Sequence, residues 1–162
     1  MMTKHEASCY EVYILLDVLV GIFEHCEDYI PKEAIGFLFG NGYRWKDNTY
    51  AVIYAYLPLK SKSTRFSVEI MEGSIAPALN KIKAKYPEAK IVGWYHSHPN
   101  LGVFMSEIDI ESHKKYFRLP YQVALVVDPV RKEYNFFKVK GNNYRPATFR
   151  VIVKREEHEK EQ

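Results

Sequence analysis

Between Leu15 and Asp28 the apolar residues fall at Leu15, Val18, Leu19, Ile22, Phe23 and Cys26, the three-and-four spacing that lines one face of an α-helix. Pro31 ends that pattern, and the alternating YEVYI (10–14) ahead of it predicts a short strand. From Ala34 to Trp45 and from Thr49 to Leu57, aromatic and β-branched residues flank NGYRWKDN. Its NG and DN dipeptides signal turns, so a hairpin is expected. KSKSTRFS (60–67) is a polar loop, and Glu69 to Lys85 reads as a second helix with Lys81, Lys83 and Lys85 on its solvated face. After the turn YPEAK, the apolar run from Lys90 to His98 ends at Pro99, as a central strand would. Ser106 to Phe117 predicts a third helix. QVALVVD (122–128), EYNFFKVK (133–140) and ATFRVIV (147–153) predict strands, with DPVRK and GNNYRP as turns. The expectation is one α/β domain over residues 1–162, a mixed β-sheet flanked by α-helices, with a charged tail from about residue 154.

Composition narrows the class. A chain of 162 residues can bury roughly 70% of the surface its unfolded form exposes. Apolar residues at 47% and charged residues at 27% make a globular balance. The net charge of +3 comes from interleaved basic and acidic residues, so no stripe is present to follow a phosphate backbone and no nucleic-acid partner is expected. The most apolar run, Val12 to Phe23, is interrupted by Asp17 and falls short of the ~20 residues a membrane span needs. An acidic HEASCYE precedes that run, unlike the basic start of a signal peptide, and a cytoplasmic protein is expected. Two cysteines, Cys9 and Cys26, exclude a disulfide framework and a four-cysteine zinc site. They are read as reduced thiols, with a bridge between them as the alternative.

The chemistry gathers in GWYHSHPNLGVFMSEID (93–109). If residues 90–98 form a strand, His96 and His98 point to one side and can reach one metal ion. A catalytic zinc wants three protein ligands and an open position, and Asp109 is the nearest carboxylate with a defined setting. Ser106-Glu-Ile-Asp109 also fits a capping box, with Ser106 as N-cap. The two readings are compatible, because a cap that fixes the helix start also aims Asp109. Hydrolysis further needs a group that takes and returns a proton, for which Glu33 is the candidate. It leads into EAIGFLFG, where Gly36 and Gly40 mark a close backbone approach or a bulge. Local sequence alone leaves Glu33 equally readable as a solvated turn carboxylate.

Taken together, His96-Ser97-His98, seven residues, Ser106, two residues and Asp109 resemble the signature of the JAMM (MPN+) zinc metalloproteases. Gly93-Trp94-Tyr95 resembles that family's lead-in, Glu33-x-x-Gly36-x-Leu38-x-Gly40 its glutamate segment, and ALVVDP (124–129) the strand and turn after the signature helix. The resemblance spans about Ile30 to Pro129. It implies a cytidine-deaminase-like α/β fold and one zinc per chain on His96, His98 and Asp109. It also implies Glu33 as general acid/base and Ser106 as a stabiliser of the oxyanion.

Its further implication is an isopeptidase acting after the C-terminus of ubiquitin or a ubiquitin-like modifier, with such a protein or its conjugates as partner. The short connections and the lack of extra cysteines near the signature suggest a compact, free-standing prokaryotic or archaeal-type member. A homodimer stays open. His113, one turn beyond Asp109, is read as a surface histidine, with a place beside the metal ligands as the alternative. A non-catalytic MPN scaffold and a nucleic-acid-linked zinc hydrolase are the competing functions. The first lacks support because all ligands are present, the second because no H-x-E with P-C-x-x-C occurs.

Overall fold

The computed structural model describes residues 10–60 and 76–153. Strand β1 (Val12–Leu15) runs directly into helix α1 (Leu16–Tyr29). A hairpin of β2 (Ile35–Trp45) and β3 (Asn48–Leu59) follows, then α2 (Ala76–Lys85) and β4 (Lys90–Ser97). Helix α3 (Glu107–Tyr116) leads to β5 (Val123–Asp128), β6 (Glu133–Lys140), β7 (Asn143–Pro146) and β8 (Phe149–Ile152).

Among the described residues eight strands form one mixed sheet in the order β7-β6-β5-β4-β2-β3-β1-β8. Strand β4 lies in its middle, antiparallel to β2 and parallel to β5. That central place explains why Lys90–Ser97 is buried along nearly its whole length. Alternation along the strands divides the core into two clusters. Phe37, Phe39, Trp94, Val126 and Phe117 lie on one side, and Leu38, Tyr95, Leu125 and the α1 residues Leu19, Ile22 and Cys26 on the other. Helix α1 therefore covers one face of the sheet, while the partly buried Leu79 and Ile82 of α2 and Ile110 of α3 pack toward the other.

The first and last strands in the sheet order, β7 and β8, are separated in sequence only by Ala147 and Thr148. The two ends of the sheet must therefore meet, and it wraps round on itself. At the seam the Ala147 N–H donates to Phe136 O and the Glu11 N–H to Thr148 O. The Arg145 guanidinium spans it with two bonds to the Glu11 carboxylate, at 2.9 and 2.7 Å.

Two turn expectations are corrected. Asn41-Gly42 lies inside β2, and the hairpin turn is Lys46-Asp47, with Lys46 at φ 56°. GNNYRP is not all turn, because Asn143–Pro146 pairs with β6 as an edge strand. The glycine expectations hold: the β2–β3 register shifts at Phe39/Gly40, and a Cβ on Gly36 would collide with the Tyr95 ring. The polar loop 61–67, the first turns of the helix expected from Glu69, Cys9 and the tail from residue 154 lie outside the described residues. Cys26 is free and buried. Among the described residues no helix is long and apolar enough to cross a membrane.

Candidate metal centre

Strand β4 delivers the histidines. His96 faces the same side as Trp94, and the Trp94 ring lies flat against it, with centroids 4.5 Å apart and planes 13° apart. His98 follows the end of the strand and keeps its place because its N–H donates to Val127 O at 2.9 Å. The chain then loops over residues 99–105 and enters α3 at Ser106.

That entry is a capping box. Ser106 Oγ accepts the Asp109 N–H at 3.1 Å, and Asp109 Oδ2 accepts the Ser106 N–H at 2.9 Å. The same oxygen stands 2.9 Å from His96 Nε2 and 3.3 Å from His98 Nε2, and the two imidazole nitrogens are 3.1 Å apart. Three buried donor atoms thus converge on one point.

The donor set fits zinc. Two ligands at about 2.0–2.1 Å from a tetrahedral ion stand roughly 3.3 Å apart, close to the separations seen here. Burial pushes the Asp109 carboxyl up, but the bonds with His96, His98 and the Ser106 N–H outweigh it and hold it well below the usual carboxylate range. Asp109 is therefore an anion, as a metal ligand must be. The Nδ1 atoms of both rings are buried without a partner among the described residues, so there ring orientation rests on packing. Trp94 holds His96, and Phe104 lies 4.6 Å from His98 between centroids.

Glu33 joins from just ahead of the neighbouring strand β2. Ile35 pairs with His96 in the β2–β4 ladder, and the same register carried two residues further sets Glu33 opposite His98. Glu33 Oε1 lies 3.7 Å from His98 Nε2, and its side chain is 35% exposed. The carboxylate thus sits on the open side of an otherwise buried cluster. Such a group can exchange protons with anything bound over the three donors.

All five residues singled out from sequence therefore meet at one end of the sheet. The expectation for His113 is corrected: it is 3% exposed, not a surface residue. Its Nδ1 accepts the Trp94 indole N–H at 3.0 Å, which places it behind the Trp94–His96 stack. Burial pushes the His113 imidazole down to about 4, as does the charge of Lys138, so it is neutral and can accept. Trp94 carried a readable signal, two residues before His96 on the same strand face. Asp128 carried a weaker one in its DPVRK turn. Fully buried, it accepts the N–H groups of Asn100, Gly102, Val130 and Arg131 and so ties the 99–105 loop to the β5–β6 turn.

Comparison with known proteins agrees with this arrangement. Residues 7–120 match the family model of the JAB1/Mov34/MPN/PAD-1 ubiquitin protease. The chain is 29% identical over 122 residues to Ubiquitin carboxyl-terminal hydrolase RPN11 of Saccharomyces cerevisiae, covering 74% of this chain and 39% of that one. It is 44% identical over 75 residues to NAD(+) hydrolase TcpA of a Theionarchaea archaeon, covering 46% of this chain and 22% of that one. The chain thus spans well under half the length of these relatives. In fold it is similar to the solution structure of protein DSY2949 from Desulfitobacterium hafniense, with a TM-score of 0.68 at 19% identity, covering 91% and 97% of the two chains. The family match covers most of the chain and takes in every residue of the cluster: this protein belongs to the JAB1/Mov34/MPN/PAD-1 family.

Proposed function

We propose that the chain is a zinc-dependent isopeptidase that hydrolyses the bond after the C-terminus of ubiquitin or a ubiquitin-like modifier. The observation that carries this reading is the convergence of His96 Nε2, His98 Nε2 and Asp109 Oδ2 with the Glu33 carboxylate beside them on the open side. The name of the RPN11 relative supports the substrate class. His96, His98 and Asp109 would hold one Zn²⁺. When bound, such an ion polarises the carbonyl under attack and makes water a usable nucleophile near neutral pH.

The chain's own residues supply the rest. Glu33 takes a proton from the attacking water and passes it to the leaving lysine amine, which would otherwise depart as an unstable anion. Ser106 Oγ already accepts the Asp109 N–H, which leaves its own hydroxyl proton to donate toward the developing oxyanion. The aromatic packing of Trp94 and Phe104 keeps both imidazoles oriented through the cycle.

The test is cleavage of ubiquitin-like conjugates by purified protein, with metal analysis and a chelator control. About one zinc per chain is expected, with cleavage abolished by the chelator and restored by zinc. Glu33→Gln should keep the zinc and lose about a hundredfold or more in rate. A metal-free protein would make the chain a binding scaffold, and full activity in Glu33→Gln would remove Glu33 from its role.

A further inference from the structure

The residue between the two histidines is not idle. Ser97 is fully buried and faces α1, opposite to the metal ligands. In an antiparallel ladder, Ala34 and Ser97 would exchange two backbone bonds as the next pair after Ile35 and His96. Only one is a ladder bond: the Ser97 N–H donates to Ala34 O at 3.0 Å. The other is taken over by a side chain, because the Ala34 N–H donates to Ser97 Oγ at 2.8 Å. The Cys26 thiol on α1 lies beside the same hydroxyl, and burial pushes that thiol up to about 12.

We propose that Ser97 is the positioning residue for Glu33. Ala34 is clamped on both its N–H and its carbonyl by one residue, and Glu33 is its immediate neighbour. β2 begins only at Ile35, and the stretch before it follows the Pro31 turn, so among the described residues no ladder bond anchors Glu33 itself. The Ser97 hydroxyl joins β4 to the start of β2 at one buried point beside α1. Through it the residue between the metal ligands fixes the carboxylate that works beside them, and ligands and proton carrier share one origin. The hydroxyl faces away from the ligand cluster, so its removal leaves the three metal donors in place.

This inference rests on the isopeptidase reading for its kinetic arm, and its other readouts need no substrate. The experiment compares wild type with Ser97→Ala, Ser97→Thr and Ser97→Val in the zinc-loaded protein. Thr and Val share a shape and differ in the hydroxyl, so that pair carries the test if Ser97→Ala fails to fold. Zinc content should stay at the wild-type level in every folded variant. The Ala34 amide should exchange about tenfold faster in the Ala and Val variants, and the Glu33 side-chain carboxyl resonance should move in both. Thr should restore both signals. With an active substrate, kcat should fall about ten- to a hundredfold in Ala and Val with KM nearly unchanged. In a Glu33→Gln background the same changes should add nothing further.

An unmoved Glu33 resonance together with a fast Ala34 amide would overturn the proposal, leaving Ser97 as a strand-end brace. So would equal kcat in the Thr and Val variants. A wild type that cleaves nothing would sink the isopeptidase reading instead, while the Ala34 and Glu33 signals would still decide the role of Ser97.

Discussion

Asp109 Oδ2 closes a helix cap and joins the cluster of three donors with one atom, which the two lone pairs of a carboxylate oxygen permit. Sequence allowed both roles in one tetrapeptide as compatible readings, and the geometry joins them in a single oxygen. His113 shows the opposite case. Its position one turn beyond Asp109 was visible, but its burial depends on Trp94 and Phe117 closing over it, and no local pattern records that. Its lowered value sets a pH dependence. A group that is about 4 when folded and 6.5 when unfolded takes up protons more readily in the unfolded chain between those values. Its contribution is therefore present at neutral pH and is lost as pH falls from 6.5 toward 4. The loss is on the order of 2–3 kcal/mol. Urea denaturation of wild type and His113→Gln at pH 7 and pH 4.5 checks this. The difference in stability between the two pH values should shrink in His113→Gln, which keeps an acceptor for Trp94. His25, also lowered by burial, contributes equally to both proteins and cancels. An identical pH slope in the two proteins would refute the assignment.

At the scale of elements, periodicity located α1 and α3 within a residue or so, and the alternating runs located the hairpin. It missed β7, whose four residues are all exposed and which is a strand only because β6 lies beside it. Pairing is a tertiary fact. The connection from His98 to Ser106 was legible as seven residues of loop, but not its stiffness, which comes from Asp128. Burial pushes that carboxyl up, yet four backbone N–H groups hold it below the usual carboxylate range, and Arg131 Nε adds a contact at 3.6 Å. Asp128→Asn replaces one acceptor oxygen with an amide that confronts donors. It should destabilise the protein by about 3 kcal/mol, given charge-assisted bonds to a buried group. The amides of Asn100 and Gly102 should lose hydrogen-exchange protection first. Zinc should also dissociate faster, because the loop carries α3 and Asp109 to the cluster. Unchanged protection at those two amides would show that the loop is held by something else.

Across the whole molecule, the site and the seam lie at opposite ends of the sheet. His98, Glu33 and Asp109 gather where β4 ends and β2 begins. Glu11, Arg145 and Thr148 close the sheet near the start of β1 and β3, where Glu11 O also accepts the Ala51 N–H. Four of the five site residues fall within one short stretch and were legible from spacing. Glu33, far upstream, was a candidate that local sequence left equally readable as a solvated turn carboxylate, because its place opposite His98 is set by the β2–β4 register. The separation of site and seam is itself testable with Arg145→Ala. The Arg145 side chain is 60% exposed, so its double bond to Glu11 is well screened by water despite good geometry. Glu11 also keeps a bond from the Thr148 N–H at 3.2 Å, and the seam retains its backbone bonds. The substitution should therefore cost no more than about 1 kcal/mol, and less at high salt. Distant sites with no shared partners act independently, so zinc content and cleavage should match wild type. A loss of zinc affinity in Arg145→Ala would mean that closing the sheet at one end sets the ligand geometry at the other.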